Sequence, residues 1–248
     1  MLDHAVIAVR DLDIAIKDYH DLGFTVIRGG VHANRATHNA LIAFADGTYL
    51  ELLAGTGESP LPDLIDFSML LQTGEGLVGF ALRSDDLDAD ATRLKAHGVA
   101  VGEVIPGERR REDGTVIRWK LAQLAEGFAP FLIQDITPRE WRVPADAMVT
   151  MHPNGAVGMR GVGIAVREMA VIKARYVTLL GISPQLISQN RIAIGNVILH
   201  QLFEGETSEL QETLYAIHLI MEQPEHGRFP LERTHGVRFQ QVALSDSL

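Results

Sequence analysis

The chain has 248 residues, enough for one large domain or two small ones, and its 46% hydrophobic and 22% charged residues exclude wholesale disorder. A net charge of −10 argues against non-specific nucleic-acid binding, which rests on Lys and Arg neutralising phosphates. The absence of cysteine excludes disulfides, iron–sulfur clusters and thiol catalysis. No apolar run is long enough to span a bilayer, and the N-terminus enters a strand with no basic or apolar leader, so a cytoplasmic protein without membrane partners is expected.

Residues 3–9 run apolar and predict a buried strand. Asp11 then caps a helix over about 12–22, closed by Gly23, and Phe24 to Ile27 form the next strand, ended by Gly29-Gly30. Strands 39–45 and 48–53 pair across Asp46-Gly47, a dipeptide suited to a tight turn. The first unit is therefore βαβββ. Residues 60–74 look helical and inserted.

A second unit follows: strand 77–83, helix 86–97, strand 100–104, and hairpin strands 115–124 and 130–135. Shifted by 75 positions, Asp11-Leu12-Asp13 falls on Asp86-Leu87-Asp88 and Gly23 on Gly98 without a gap. Duplicated units commonly pack face to face. The basic run Arg109-Arg110-Arg111, flanked by Glu108, Glu112 and Asp113, suggests a solvated loop. A proline-marked stretch over 137–158 is the expected linker. A fainter third βαβββ-like unit occupies 159–248, with a strand from Val162, a helix over 169–180, and strands at 191–194, 197–203, 214–221 and 237–244. The organisation expected is a domain over 1–136, with modules 1–54 and 77–136, followed by linker and C-terminal module.

Two residues in the first unit stand out chemically. His4 shares a strand face with Val6 and Ala8, and Glu51 interrupts the apolar run Leu50 to Leu53. A buried carboxylate is costly unless paired, protonated or bound to a metal. Imidazole and carboxylate together suit Zn, Fe(II), Mn, Co or Ni. In the second unit Gly79 stands at the position of His4, and Gln134, a poorer ligand, in place of Glu51. Alternation lets either His38 or Asn39 face the interior, not both. Tyr49 shares the face of Glu51, and an inward Arg118 would clamp a carboxylate or phosphate.

The duplicated βαβββ unit, with His in its first strand and Glu in its last, resembles the vicinal oxygen chelate superfamily. Thr37 to Ile42, Gly47 to Leu52, Arg118-Trp119 and Pro130 to Gln134 resemble its glyoxalase-like branch more narrowly. The resemblance implies an α+β fold in which tandem modules form curved half-barrel sheets around a cleft. It further implies a divalent metal held by His4 and Glu51, with proton transfer by Glu51 or His38. Asn39, Tyr49, Arg118 and Gln134 would then orient a small oxygen-rich or carbonyl substrate, in lyase, isomerase or dioxygenase-like chemistry. The same superfamily contains metal-free sequestering proteins that bind small molecules across a homodimer interface, and Gly79 and Gln134 keep that alternative open.

Overall fold

The computed structural model describes residues 1–61, 66–124, 130–201, 212–225 and 228–246. The first unit is β1 (Leu2–Ala8), α1 (Leu12–Asp21), β2 (Ile27–His32), β3 (Thr37–Ala43) and β4 (Tyr49–Gly55). The second is β5 (Gly76–Arg83), α2 (Leu87–Ala96), β6 (Ile105–Arg110), β7 (Val116–Ala122) and β8 (Phe131–Asp135). The repeat extends to the helix caps. Asp11 accepts from the amides of Asp13 and Ile14, Asp86 accepts from that of Ala89, and Gly23 and Gly98 follow the two helices at φ of 83° and 78°.

The two units close an eight-stranded barrel in the order β1-β4-β3-β2-β6-β7-β8-β5. Within each unit the first and last strands pair in parallel, β1 with β4 and β5 with β8, while β1 with β5 and β2 with β6 are the antiparallel seams between units. Side chains alternate across each strand. One set therefore packs outward beneath α1 and α2, and the other fills the barrel.

Two short helices, α3 (Arg139–Arg142) and α4 (Ala147–Thr150), lead into β9 (Ala156–Val166), α5 (Met169–Leu180), β10 (Gln185–Ser188), β11 (Arg191–Ile194), β12 (Val197–Gln201), β13 (Glu212–Met221) and β14 (Phe239–Ala243). These strands form an open six-stranded sheet, β10-β11-β12-β9-β13-β14. Its connectivity matches that of β2-β3-β4-β1-β5-β8 in the barrel, pairing for pairing. The two middle strands that would close a second barrel have no counterpart among the described residues. A shared core joins the parts, running from Ile7, Tyr19 and Phe80 to Ile164, Tyr176 and Ile217. The Met159 amide donates to Asp46 across the junction. No helix among the described residues is long and apolar enough to cross a membrane.

Several expected elements move, for identifiable reasons. Gly29-Gly30 does not end a strand but lies inside β2, where the register slips between Arg28 and Gly30. The strand expected at 100–104 is instead β6, five residues later, with only an isolated bridge at Val101. Arg109 and Arg110 consequently belong to a strand rather than a solvated loop, and Arg109 is only 3% exposed. The expected 60–74 helix is a 3-10 turn over Phe67–Thr73, residues 62–65 lying outside the described set. β10 had no forecast, and positions 202–203 of the forecast 197–203 strand are not among the described residues. The stretch after Thr137 buries Arg142, Val143, Thr150, His152 and Asn154, so it is a docked strap rather than a loose tether.

Candidate active site

The first unit supplies the imidazoles and the carboxylate of the barrel interior, while the second supplies mostly apolar side chains together with Arg109. His4 from β1 and Tyr49 and Glu51 from β4 reach the same cavity as His32 from β2 and Asn39 from β3. Trp119, Leu121, Phe131 and Ile133 supply much of the opposite wall with Arg109; Arg142 also lines the cavity, and Phe67 and Leu70 of the 3-10 turn contribute from the insertion. The space open to the centre of a water-sized sphere is about 30 Å³, room for an ion and a water or two. A second cleft of about 280 Å³ shares His32, Phe67 and Trp119 with it, so those three side chains partition an inner chamber from an outer one.

Glu51 is the centre of the polar side. Its Oε1 accepts from Asn39 Nδ2 at 2.6 Å, and its Oε2 faces His4 Nε2 at 3.4 Å. His32 Nε2 stands 3.8 Å from Oε1, beyond hydrogen-bonding distance. Burial alone would raise the Glu51 carboxyl, but the hydrogen bond and charge of His4, with His32 and Asn39, outweigh it and bring it down to about 2.

His4 is held from behind. Its Nδ1 lies 2.7 Å from Asp3 Oδ1, and its ring stacks on Tyr49 with centroids 4.5 Å apart. Burial disfavours its charged form, yet its hydrogen bonds to Asp3 and Glu51 prevail and raise its pKa. His32 behaves oppositely. Burial pushes it down to about 4, Glu51 opposing only in part, so the ring is neutral near pH 7. Its Nδ1 is 2.9 Å from Thr37 Oγ1; in the tautomer that donates there, the Nε2 lone pair faces the cavity.

A set of four charges closes one end of the barrel. Arg142 donates to both oxygens of Asp3, to Asp135 and to the Tyr49 hydroxyl, while Arg139 bridges Asp3, Asp135 and the Gly47 carbonyl. Arg109 donates to the carbonyls of Gly29 and Arg142. The strap thus anchors the carboxylate that orients His4.

The remaining sequence-derived residues fall elsewhere. Asn39 takes the inward position, so His38 lies on the outer side of the wall, over a surface groove with Leu12 and Arg28. Arg118 points to the outer cleft and pairs with Glu108 at 2.9 Å. Gln134 is not in the place of Glu51. It caps the start of α2, accepting from the Leu87 amide and donating to the Asp85 carbonyl. Strand registers instead give that place to Phe131, since Val6 pairs with Glu51 and the shifted Ala81 pairs with Phe131. Gly79 pairs with Val6 and carries no side chain. Sequence reasoning missed His32, because Gly29-Gly30 suggested that the strand had ended.

The donor set fits a divalent transition metal. One imidazole nitrogen is backed by a carboxylate, as metal-binding histidines generally are, and the other nitrogen faces an ionised glutamate. His4 Nε2 and Glu51 Oε2 are separated as two ligands of one tetrahedral ion are, about 3.3 Å for bonds of about 2.0 Å. Among the described residues, no three His, Asp or Glu side chains already converge as a full ligand group.

Comparison with known proteins agrees with this architecture. The glyoxalase-like domain model matches residues 2–180, and the chain belongs to that family. A hypothetical protein from Staphylococcus aureus is 14% identical, with a TM-score of 0.74 over 98% of this chain and 99% of its own. The Mn(II)-bound glyoxalase of Novosphingobium aromaticivorans is 12% identical, with a TM-score of 0.52, covering 89% of this chain and 65% of that one. The 2,2',3-trihydroxybiphenyl 1,2-dioxygenase of Sphingomonas wittichii strain RW1 is 13% identical, with a TM-score of 0.51 over 94% and 76%. At these identities the likeness is one of fold. No curated protein matches the sequence.

Proposed function

We propose that this protein is an enzyme whose barrel cavity holds a divalent transition metal through His4 and Glu51 and acts on a small carbonyl or vicinally oxygenated compound. The observation that carries this is the line Asp3–His4–Glu51, with the imidazole fixed between two carboxylates at 2.7 and 3.4 Å in a cavity sized for an ion. A metal there supplies Lewis acidity, stabilising negative charge that develops on substrate oxygens.

The chain's own groups do the rest. Asp3 fixes the tautomer and orientation of His4, and Arg142 and Arg139 hold Asp3. Asn39 pins Oε1 of Glu51 and so fixes the carboxylate with Oε2 turned towards His4. Trp119, Phe131 and Ile133 keep that region dry, which strengthens electrostatic interactions inside it. The outer cleft, with Arg118 and Glu108 on its rim, is the natural place for the parts of a substrate that do not react. His38, on the outer surface, has no role in this scheme. Isomerase, lyase and dioxygenase-like reactions all accord with it.

Elemental analysis of purified wild type, His4→Ala and Glu51→Ala tests the reading, together with solvent-deuterium exchange into α-hydroxy carbonyl compounds. Near-stoichiometric metal lost from both variants, and exchange lost with it while circular dichroism is unchanged, is the expected result. Undiminished turnover in Glu51→Ala would sink it. The second unit brings no carboxylate or imidazole to the cavity, and this favours one alternative, a metal-free sequestering protein. Saturable ligand binding without product, indifferent to chelator, would mark that case.

A further inference from the structure

We infer that the outer cleft is a slot for one flat apolar ring, which places the substrate among compounds carrying vicinal oxygens on a short chain attached to that ring. This rests on the proposed function and names the substrate class of the same site. The space itself divides a ligand into two parts. The inner chamber, at about 30 Å³, admits no ring. A dry apolar cavity of about 150 Å³ holds benzene, so the outer cleft, at about 280 Å³, has room for a ring and its short side chain. The boundary between them is one imidazole thick, since His32 lines both and its Nε2 stands 3.8 Å from Glu51 Oε1. A ring lying against His32 therefore directs its substituent towards Glu51 and His4.

The cleft is built of flat faces. The rings of His32 and Phe67 lie 4.8 Å apart, and Trp119 stands edge-on to His32 at 6.1 Å. His32 and Trp119 are 5% and 4% exposed, so packing holds both rings in place. Burial keeps His32 neutral near pH 7, and these faces present no charge to a ligand. Aromatic rings gain from offset or edge-on partners beyond the area they bury. At the rim Arg118 is already paired with Glu108 at 2.9 Å, so a phosphate group finds no free cation there. The cleft selects by shape and apolarity.

A glycine makes room for the indole. Gly107 pairs with Trp119 across β6 and β7, and a Cβ there would lie 2.2 Å from the indole Nε1 and 2.4 Å from Cε2. Its backbone is not left-handed, so conformation does not call for glycine. The close approach of the indole does. With alanine at this position the indole must leave its place and the slot loses one wall.

Binding of hydroxymethyl phenyl ketone and its methyl and cyclohexyl analogues to the full chain tests this, by calorimetry and by quenching of Trp119 emission. The chain has two tryptophans, and Trp141→Phe, on the strap, leaves Trp119 as the only indole. In that background the phenyl compound is expected to bind about 10- to 100-fold tighter than the methyl one, the gain from burying a ring. It should bind about 2- to 10-fold tighter than the cyclohexyl one, the added worth of aromatic faces. Phe67→Leu keeps apolar bulk without a flat face, and should abolish the phenyl-over-cyclohexyl preference while keeping that over methyl. Gly107→Ala should lose at least about 10-fold in affinity for the phenyl compound, with the methyl one unchanged. Phe67→Leu decides the matter should the alanine variant fail to fold. Equal affinity for the phenyl compound and either analogue, binding without change in Trp119 emission, or no binding at all would overturn the slot. Metal content and deuterium exchange into the methyl compound, measured on the same samples, would then show whether the metal reading stands without it.

Discussion

Arg142 donates to both carboxylate oxygens of Asp3, at 2.8 and 3.0 Å, across a separation of 139 residues. Both side chains are buried, and burial opposes ionisation of each. The facing guanidinium nevertheless holds Asp3 well below the usual carboxylate range, and Tyr49, Asp3 and Asp135 hold Arg142 above its ordinary value. The strap is therefore part of the barrel's interior electrostatics. Replacing one member leaves the other buried without its counter-charge, which costs more than the pair itself contributes. Arg142→Met should destabilise the protein by about 3–5 kcal/mol. Urea denaturation of the variant against wild type measures this, and a loss under about 1 kcal/mol would show that Arg139 alone satisfies Asp3.

The barrel's closing seam depends on one glycine. The β2–β6 ladder consists of two residue pairs, Val31–Arg110 and His32–Arg109, beside Gly30 at φ +131°. A Cβ on Gly30 would fall 2.1 Å from the Arg110 carbonyl oxygen, which is backbone and cannot swing aside. Gly47, at φ +79° in its turn, has nothing within 4 Å of its would-be Cβ. Gly47→Ala should then cost only the left-handed backbone term, about 1–2 kcal/mol. Gly30→Ala adds overpacking of about 1–3 kcal/mol to its own backbone cost. Paired urea titrations check the ordering, and equal losses would mean that the seam yields.

How much of this was legible in the residues divides along physical lines. The order of strands and helices in the first two units was legible because Asp caps, glycine stops and apolar runs are local signals, repeated 75 positions apart. His4, Tyr49 and Glu51 were legible because alternation groups the residues on one side of a strand, whereas alternation alone left His38 and Asn39 as equal candidates for the inward position. His32 and Arg109 were not. Each depends on where a strand ends, and a glycine pair or a run of arginines gives the same local signal in a loop or in a bulged edge. Gln134 misled for a related reason, since a shift of register on β8 exchanges the inward and outward faces, and only strand pairing shows that Phe131 is the inward residue. Asp3 and Arg142 lie too far apart in sequence for any local pattern to join them.

The open C-terminal sheet has an imidazole pair of its own. His200 Nε2 and His218 Nε2 are 3.4 Å apart beside Gly163, whose missing Cβ leaves the space that both rings use. Burial pushes His218 down to about 3 and His200 to about 4, and the charges of Arg191 on both, and of Arg160 on His218, act in the same direction. Unfolded, each would titrate near 6.5. Between the folded and unfolded values the unfolded chain binds more protons, so stability rises with pH. The contribution is fully present above pH 6.5 and is lost as pH falls towards the folded values. For His218 the slope is about 1.4 kcal/mol per pH unit within that window. His200 is half-buried, and solvent screening makes its share smaller. Urea unfolding near pH 7 and about pH 5.5 should show His218→Gln losing about 1 kcal/mol less than wild type over that step. Equal losses would place His218 among the groups that titrate freely in the folded protein.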